Sequence, residues 1–122
     1  GEISYAGTAA MERAYLVEDI LKERLQEHFH NLHIDLIGVS SVHRTQFEKI
    51  VPYEVRVRAA GYHHSQKIAQ LIGEEVEALY TNGPAAGGGV RKKVTETIGV
   101  VSTLIDRNQV KPKITLFDNH IR

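Results

Sequence analysis

Residues 52–61, PYEVRVRAAG, alternate apolar and charged side chains. Successive side chains of a β-strand point to opposite faces of the sheet. One face would carry Tyr53, Val55, Val57 and Ala59, and the other Glu54, Arg56 and Arg58. We therefore predict a strand that is buried on its apolar face and in contact with water on its charged face.

Two amphipathic helices flank this strand in the sequence. Apolar residues recur at three- and four-residue steps within residues 6–29 and again within residues 66–80. The apolar stripes consist of Ala10, Ala14, Val17, Leu21 and Leu25 in the first helix and Ile68, Ile72, Val76 and Leu79 in the second. Ser65 is a predicted N-cap, and the run from Asn82 to Pro84 predicts a left-handed cap that ends the second helix.

Three further segments have the composition of strands, namely residues 34–42, 94–105 and 113–117. The predicted order is helix, strand, strand, helix, strand, strand, which makes two αββ units without a linker. We therefore predict a single domain over residues 1–122 with an α+β fold. Two helices would cover one face of a four-stranded, mainly antiparallel sheet in a two-layer sandwich. This is a ferredoxin-like architecture, in its usual strand order or in a permuted one.

The segment from residue 94 to residue 105 has apolar side chains on both predicted faces. Val94, Ile98, Val100 and Leu104 lie on one, and Val101 and Ile105 on the other. A sheet face in contact with water would be more polar. The chain also starts with glycine rather than methionine, so we expect it to be a piece of a longer protein. Its expected partners are further copies in a homo-oligomer and a missing amino-terminal portion.

The composition excludes several classes of function. Fifteen cationic side chains balance fifteen anionic ones, so no overall field attracts nucleic acid or an anionic membrane. Cysteine is absent, which excludes disulfides and thiolate metal sites. No apolar run approaches the roughly 20 residues of a membrane span. We expect a cytoplasmic protein that binds neither nucleic acid nor membrane.

Several stretches together resemble the closing portion of the acyclic terpene utilisation (AtuA) family. They are residues 35–39 (DLIGV), 52–61, 75–92 (EVEALYTNGPAAGGGVRK) and 99–118. The most specific part is residues 77–91, and the resemblance covers nearly the whole chain. It implies a bacterial protein several times longer, associated with the breakdown of branched acyclic terpenoids through coenzyme A thioesters. It implies no particular reaction.

The glycine-rich stretch after the second helix permits two interpretations. Glycines let successive amides point into a concavity that binds an anion, with polar side chains at its mouth. The predicted ligand-binding residues here are Tyr80, Thr81, Asn82, Gly83, Gly87, Gly88, Gly89 and Arg91. A phosphate-binding loop normally precedes a helix, whereas this stretch follows one. The alternative is a mobile connection without a ligand.

Arg56 and Arg58 are the other predicted ligand-binding residues. Two guanidinium groups on one strand face would suit a carboxylate or a phosphate, and the alternative is cross-strand ion pairing with Glu54 or Glu96. From the residues alone, Ser41 with His43 could be a nucleophile and base, and His63 or His64 a general base, but the sequence identifies no orienting carboxylate for the first pair. His28, His30 and His33 do not have the i, i+4 spacing of a helical metal site. We therefore predict no metal site and assign no catalytic residue.

Two functions remain open at this point. The chain is either an assembly module that packs through an apolar sheet face, or part of an enzyme site for an acyl-CoA or a branched carboxylic acid. The second would use the glycine-rich loop and the two strand arginines. Because no complete catalytic constellation is present, we favour assembly for this chain. We expect no cofactor within it, and a coenzyme A thioester is the candidate ligand of the longer protein.

Overall fold

A computed structural model describes residues 1–43, 51–84 and 86–116 of the chain. The strands are β1 (Glu2–Ala6), β2 (His33–Ile37), β3 (Glu54–Ala60) and β4 (Gly88–Arg91). The helices are α1 (Ala10–Leu25) and α2 (Gln66–Asn82), followed by a short 3₁₀ helix at Arg107–Gln109.

The four strands form one sheet in the order β2-β3-β1-β4, and every neighbouring pair is antiparallel. Val57 of β3 lies opposite Ile3 of β1 on one side and Leu36 of β2 on the other. Each helix connects two parallel strands that are separated by a third strand. The element order β-α-β-β-α-β is that of the ferredoxin-like fold. The α+β class and the four-stranded antiparallel sheet are confirmed, and the strand order is not permuted.

The core lies between one face of the sheet and the two helices. The sheet contributes Ile3, Tyr5, Leu36, Val55, Val57 and Ala59, all buried. The apolar stripe predicted for α1 is buried over its whole length. In α2, the stripe residues Ile72, Val76 and Leu79 are buried, and Ile68 is half-buried. Both helices therefore cover the same sheet face, as the 3.6-residue periodicity predicted.

Two of the four strands differ from those predicted. The structure forms β1 and β4, which the sequence analysis did not identify, so the units are βαβ rather than αββ. The described residues of the other predicted strands, 94–105 and 113–116, have no regular secondary structure, and Phe117 lies outside the described residues. Because β1 and β4 are short, their alternation gives a weak signal, and pairing with neighbours stabilises them instead.

Four local predictions are also corrected. The strand predicted over residues 34–42 ends at Ile37, because Gly38 adopts φ 96° and a turn follows. Gly83 ends α2 with φ −75°, which is extended and not left-handed. Ser65 occupies the N-cap position, but its side chain makes no capping hydrogen bond. Tyr53, predicted to be buried, precedes β3 and is 79% exposed.

Candidate functional site

The predicted ligand-binding residues at the end of α2 bond mainly to the helix itself. The Thr81 hydroxyl lies 3.3 Å from the carbonyl oxygens of Glu77 and Ala78, and donates to this turn. The Asn82 amide donates to Thr81 Oγ1 at 3.2 Å. Tyr80 is exposed. The structure therefore shows Thr81 and Asn82 engaged in local hydrogen bonds.

The glycines that follow pack on the core or take part in strand pairing. A Cβ atom on Gly87 would lie 2.7 Å from side-chain atoms of Ile3 and of Tyr5, so the chain passes directly over the core. Gly88 pairs with Ser4, and Arg91 pairs with Glu2, which leaves one extra residue on β4 and defines a β-bulge. Gly89 takes φ 62° in this bulge. The predicted residues Gly88, Gly89 and Arg91 therefore belong to a strand at the edge of the described sheet.

Arg56 of β3 bonds to two neighbouring strands on the open sheet face, the face opposite the helices. Its Nε donates to Glu2 Oε2 at 2.7 Å, and its Nη1 donates to Ser4 Oγ at 3.2 Å, both on β1. Its Nη2 donates to the Gly89 carbonyl of β4 at 3.1 Å. The predicted cross-strand ion pair is present, although its partner is Glu2 and not Glu54 or Glu96.

Arg58 makes the corresponding contact towards β2. Its Nη2 donates to Asp35 Oδ2 at 2.6 Å, and His33 Nε2 lies 3.0 Å from Asp35 Oδ1. Asp35 is a buried carboxylate, only 5% exposed. Sequence reasoning missed its role, because the pairing of β2 with β3 is what places it beside Arg58. The open face is thus charged, and the apolar second sheet face that we predicted is not found among the described strands.

The structure brings some of the predicted site residues together and separates others. Gly89 and Arg56 meet on the open sheet face. Tyr80, Thr81 and Asn82 lie on α2, which packs on the opposite face. The sheet therefore separates the two halves of the predicted ligand-binding set.

A polar cleft of about 640 Å³ lies where α2 begins, between residues 59–66 and residues 93–97. The Tyr62 hydroxyl lies 2.9 Å from His64 Nδ1, and the Ser65 amide donates to His63 Nδ1 at 2.9 Å. Lys93 and Glu96 line the other wall. The predicted turn before α2 therefore forms one side of a cleft.

The other hydroxyl and imidazole pair considered from the sequence takes a different conformation. Ser41 and His43 lie in a turn after β2 rather than on a strand. Across the described ranges, no group of three or more histidine, aspartate or glutamate side chains could hold a metal ion.

The most unusual surface belongs to residues 94–116, which we call the arm. Every Val, Ile and Leu of the arm is exposed: Val94, Ile98, Val100, Val101, Leu104, Ile105, Val110, Ile114 and Leu116. Leu104 is 100% exposed and Val100 is 91% exposed. Apart from the short 3₁₀ helix, the arm has no regular secondary structure. Exposed apolar side chains in this number mark an interaction site.

Lys92, which lies just before the arm, contacts α2. Lys92 forms an ion pair with Glu77, and its side chain packs over Gly73, where a Cβ atom would lie 2.8 Å from Lys92 Cβ. The arm therefore leaves the domain at a defined position beside the edge strand β4.

Comparisons with known proteins identify the family. A family model described as "Acyclic terpene utilisation family protein AtuA" matches residues 1–116. No curated protein and no solved structure matches the chain. Neither of the described helices is long and apolar enough to cross a membrane. Since the family model matches nearly the whole sequence, the chain belongs to the acyclic terpene utilisation family, whose name indicates a role in terpene catabolism.

Proposed function

We propose that this chain is an assembly module of a terpene-catabolic protein, and that its arm associates with a second copy of the chain. The exposed aliphatic side chains of the arm carry this proposal. Full burial of one such side chain stabilises a protein by about 1.5–3 kcal/mol. Burial of several arm side chains against a second copy would therefore favour association. The folded domain gives the arm a fixed point of attachment through Lys92.

Sedimentation velocity over a range of chain concentrations tests the assembly function. We expect the mass of the wild-type chain to rise above that of a monomer in the micromolar range. A variant with Ile98→Ser and Leu104→Ser should remain monomeric, because it loses two of the most exposed apolar side chains of the arm.

A matched control changes two exposed apolar residues outside the arm. Tyr15 and Leu16 of α1 are each 44% exposed, and the Tyr15→Ser, Leu16→Ser variant should associate like the wild type. A wild-type chain that stays monomeric at high micromolar concentration, with arm amides exchanging at unprotected rates, would contradict the proposal.

A second candidate function is binding of a coenzyme A thioester or branched carboxylate at β4. One observation favours it: Gly89 has φ 62°, as an anion-binding nest needs, and its Cβ position lies 4.0 Å from Arg56 Nη1. Arg56 retains N–H groups beyond its three hydrogen bonds.

Hydrogen exchange with and without coenzyme A distinguishes this candidate from assembly. Ligand binding should slow exchange of the Gly88, Gly89 and Val90 amides, and Arg56→Lys should abolish that protection. Unchanged exchange at saturating coenzyme A would exclude the nest as its site.

A further inference from the structure

Residues 94–104 of the arm, VTETIGVVSTL, have a nearly palindromic pattern of polarity about Gly99. Counted outwards from Gly99, a polar residue lies opposite a polar one and an apolar residue opposite an apolar one, except for Thr97 opposite Val101. The pairs are Ile98 with Val100, Thr97 with Val101, Glu96 with Ser102, Thr95 with Thr103 and Val94 with Leu104. A segment of this kind is complementary to itself when two copies run antiparallel, because a two-fold axis exchanges each residue with its counterpart.

We infer that two copies of this chain pair through residues 94–104 as antiparallel β-strands centred on Gly99. This inference rests on the proposed assembly function and specifies its geometry. In this register the even-numbered residues of both copies share one face of the pair, so Ile98 lies opposite Val100 and Val94 opposite Leu104, with Glu96 opposite Ser102 between them. The two aliphatic pairs are of the kind that stabilises antiparallel ladders.

The charges agree with this register. Glu96 is the single charged side chain within residues 94–104, and it lies opposite Ser102 of the other copy rather than opposite its own equivalent. No two like charges therefore face one another along the paired segment. Moving the centre of pairing by one residue would place Glu96 opposite Val100 or Leu104.

The surroundings of the arm leave room for this pairing. Gly99 has no atom within 4 Å of its Cβ position, and the side chains from Glu96 to Leu104 are exposed. The arm leaves the domain beside β4, which lies at one end of the strand order. The pair can therefore form without disturbing the core.

Single cysteine variants test the register directly, because the chain has no cysteine of its own. Directly opposed residues of antiparallel strands have Cα atoms about 4.5–5.5 Å apart, which a disulfide can bridge. We expect Gly99→Cys to form a disulfide-linked dimer under mild oxidation. Thr95→Cys alone and Thr103→Cys alone should stay unlinked, whereas an equal mixture of these two variants should cross-link.

The results separate this inference from the broader assembly proposal. Association in sedimentation without the expected cross-links would reject the register while assembly stands, and a lack of association would reject both. Self-linking of Thr95→Cys would indicate parallel arms and also reject the register. Far-ultraviolet circular dichroism of each variant confirms folding, and the mixture of Thr95→Cys with Thr103→Cys tests the register without altering Gly99.

Discussion

Tyr5 is a residue at which burial and polarity conflict. Its side chain is 1% exposed, and its hydroxyl has no hydrogen-bond partner among the described residues. Burial raises the pKa of the Tyr5 phenol to about 12, against a smaller lowering by Arg13, whose guanidinium lies 5.8 Å from the ring centre. The ring stabilises the core while its hydroxyl is left unpaired.

Tyr5→Phe should therefore raise the free energy of unfolding by about 1 kcal/mol at pH 7, because a buried hydroxyl without a partner costs about 1–3 kcal/mol. Urea denaturation measures the change. Tyr53→Phe is the control, since Tyr53 is exposed and its loss should have little effect. A Tyr5→Phe variant less stable than the wild type would show that the hydroxyl has a partner.

The raised pKa of Tyr5 also predicts an alkaline transition. The neutral phenol is favoured in the folded state, so its contribution is fully present below the ordinary pKa of 10.0 and is lost as pH rises through about 12. The wild-type unfolding free energy should fall over this window more steeply than that of Tyr5→Phe. Parallel pH profiles for the two proteins would contradict the assignment.

Gly87 and Gly88 provide a matched pair for the glycine-rich stretch. Gly87→Ala should destabilise the fold by about 1–3 kcal/mol, because its Cβ would overlap Ile3 and Tyr5 in a filled core. The Cβ atom of Gly88→Ala would lie in open space, so this variant should change the free energy of unfolding by less than about 0.5 kcal/mol. Equal effects in thermal denaturation would indicate a mobile connection at both positions.

At the scale of elements, ion pairs connect the three strands β2, β3 and β1 across the open sheet face. Arg58 of β3 contacts Asp35 of β2, and Arg56 of β3 contacts Glu2 of β1. Asp35 is buried, whereas Glu2 and both arginines are partly exposed. The β2–β3 contact should therefore matter more for stability, since solvent screens it less.

Replacing the buried carboxylate tests whether burial strengthens an ion pair of this chain. Asp35→Asn should lower the free energy of unfolding by about 2 kcal/mol, because a charge-assisted hydrogen bond inside the fold is lost. Glu18→Gln removes the carboxylate of a helical pair with Lys22 and should cost about 0.3–0.5 kcal/mol. Chemical denaturation of both variants gives the comparison, and similar losses would show that burial of Asp35 has no special effect.

For the whole molecule, the folded domain and the arm have separate roles. The described core includes no residue beyond Val90, so we expect the domain to fold without residues 94–116. We expect a chain ending at Lys93 to unfold with a free energy within about 1 kcal/mol of the full chain, both measured at concentrations where they are monomeric. The shortened chain should also lose concentration-dependent association. Failure of the shortened chain to fold would show that the arm belongs to the core.

The sequence by itself determined the parts of the fold whose signal is local. Both helices repeat their apolar residues with helical periodicity over at least three turns, and β3 alternates over its whole length, so the existence and type of each element could be predicted. Residues 94–105 also have the composition of a strand, but the domain offers them no partner strand among the described residues. A strand needs a neighbour, and periodicity alone does not supply one.

Only the tertiary structure decided which strands complete the sheet and which residues meet across it. β1 and β4 are short and become strands because backbone hydrogen bonds join residues that lie more than 80 positions apart in the chain. The pairing of β3 with β1 brings Glu2 to Arg56, and its pairing with β2 brings Asp35 to Arg58. The approach of the chain to β4 places Gly87 over the core. These contacts depend on strand register, a property of two chain segments together, so neither segment's sequence could specify them alone.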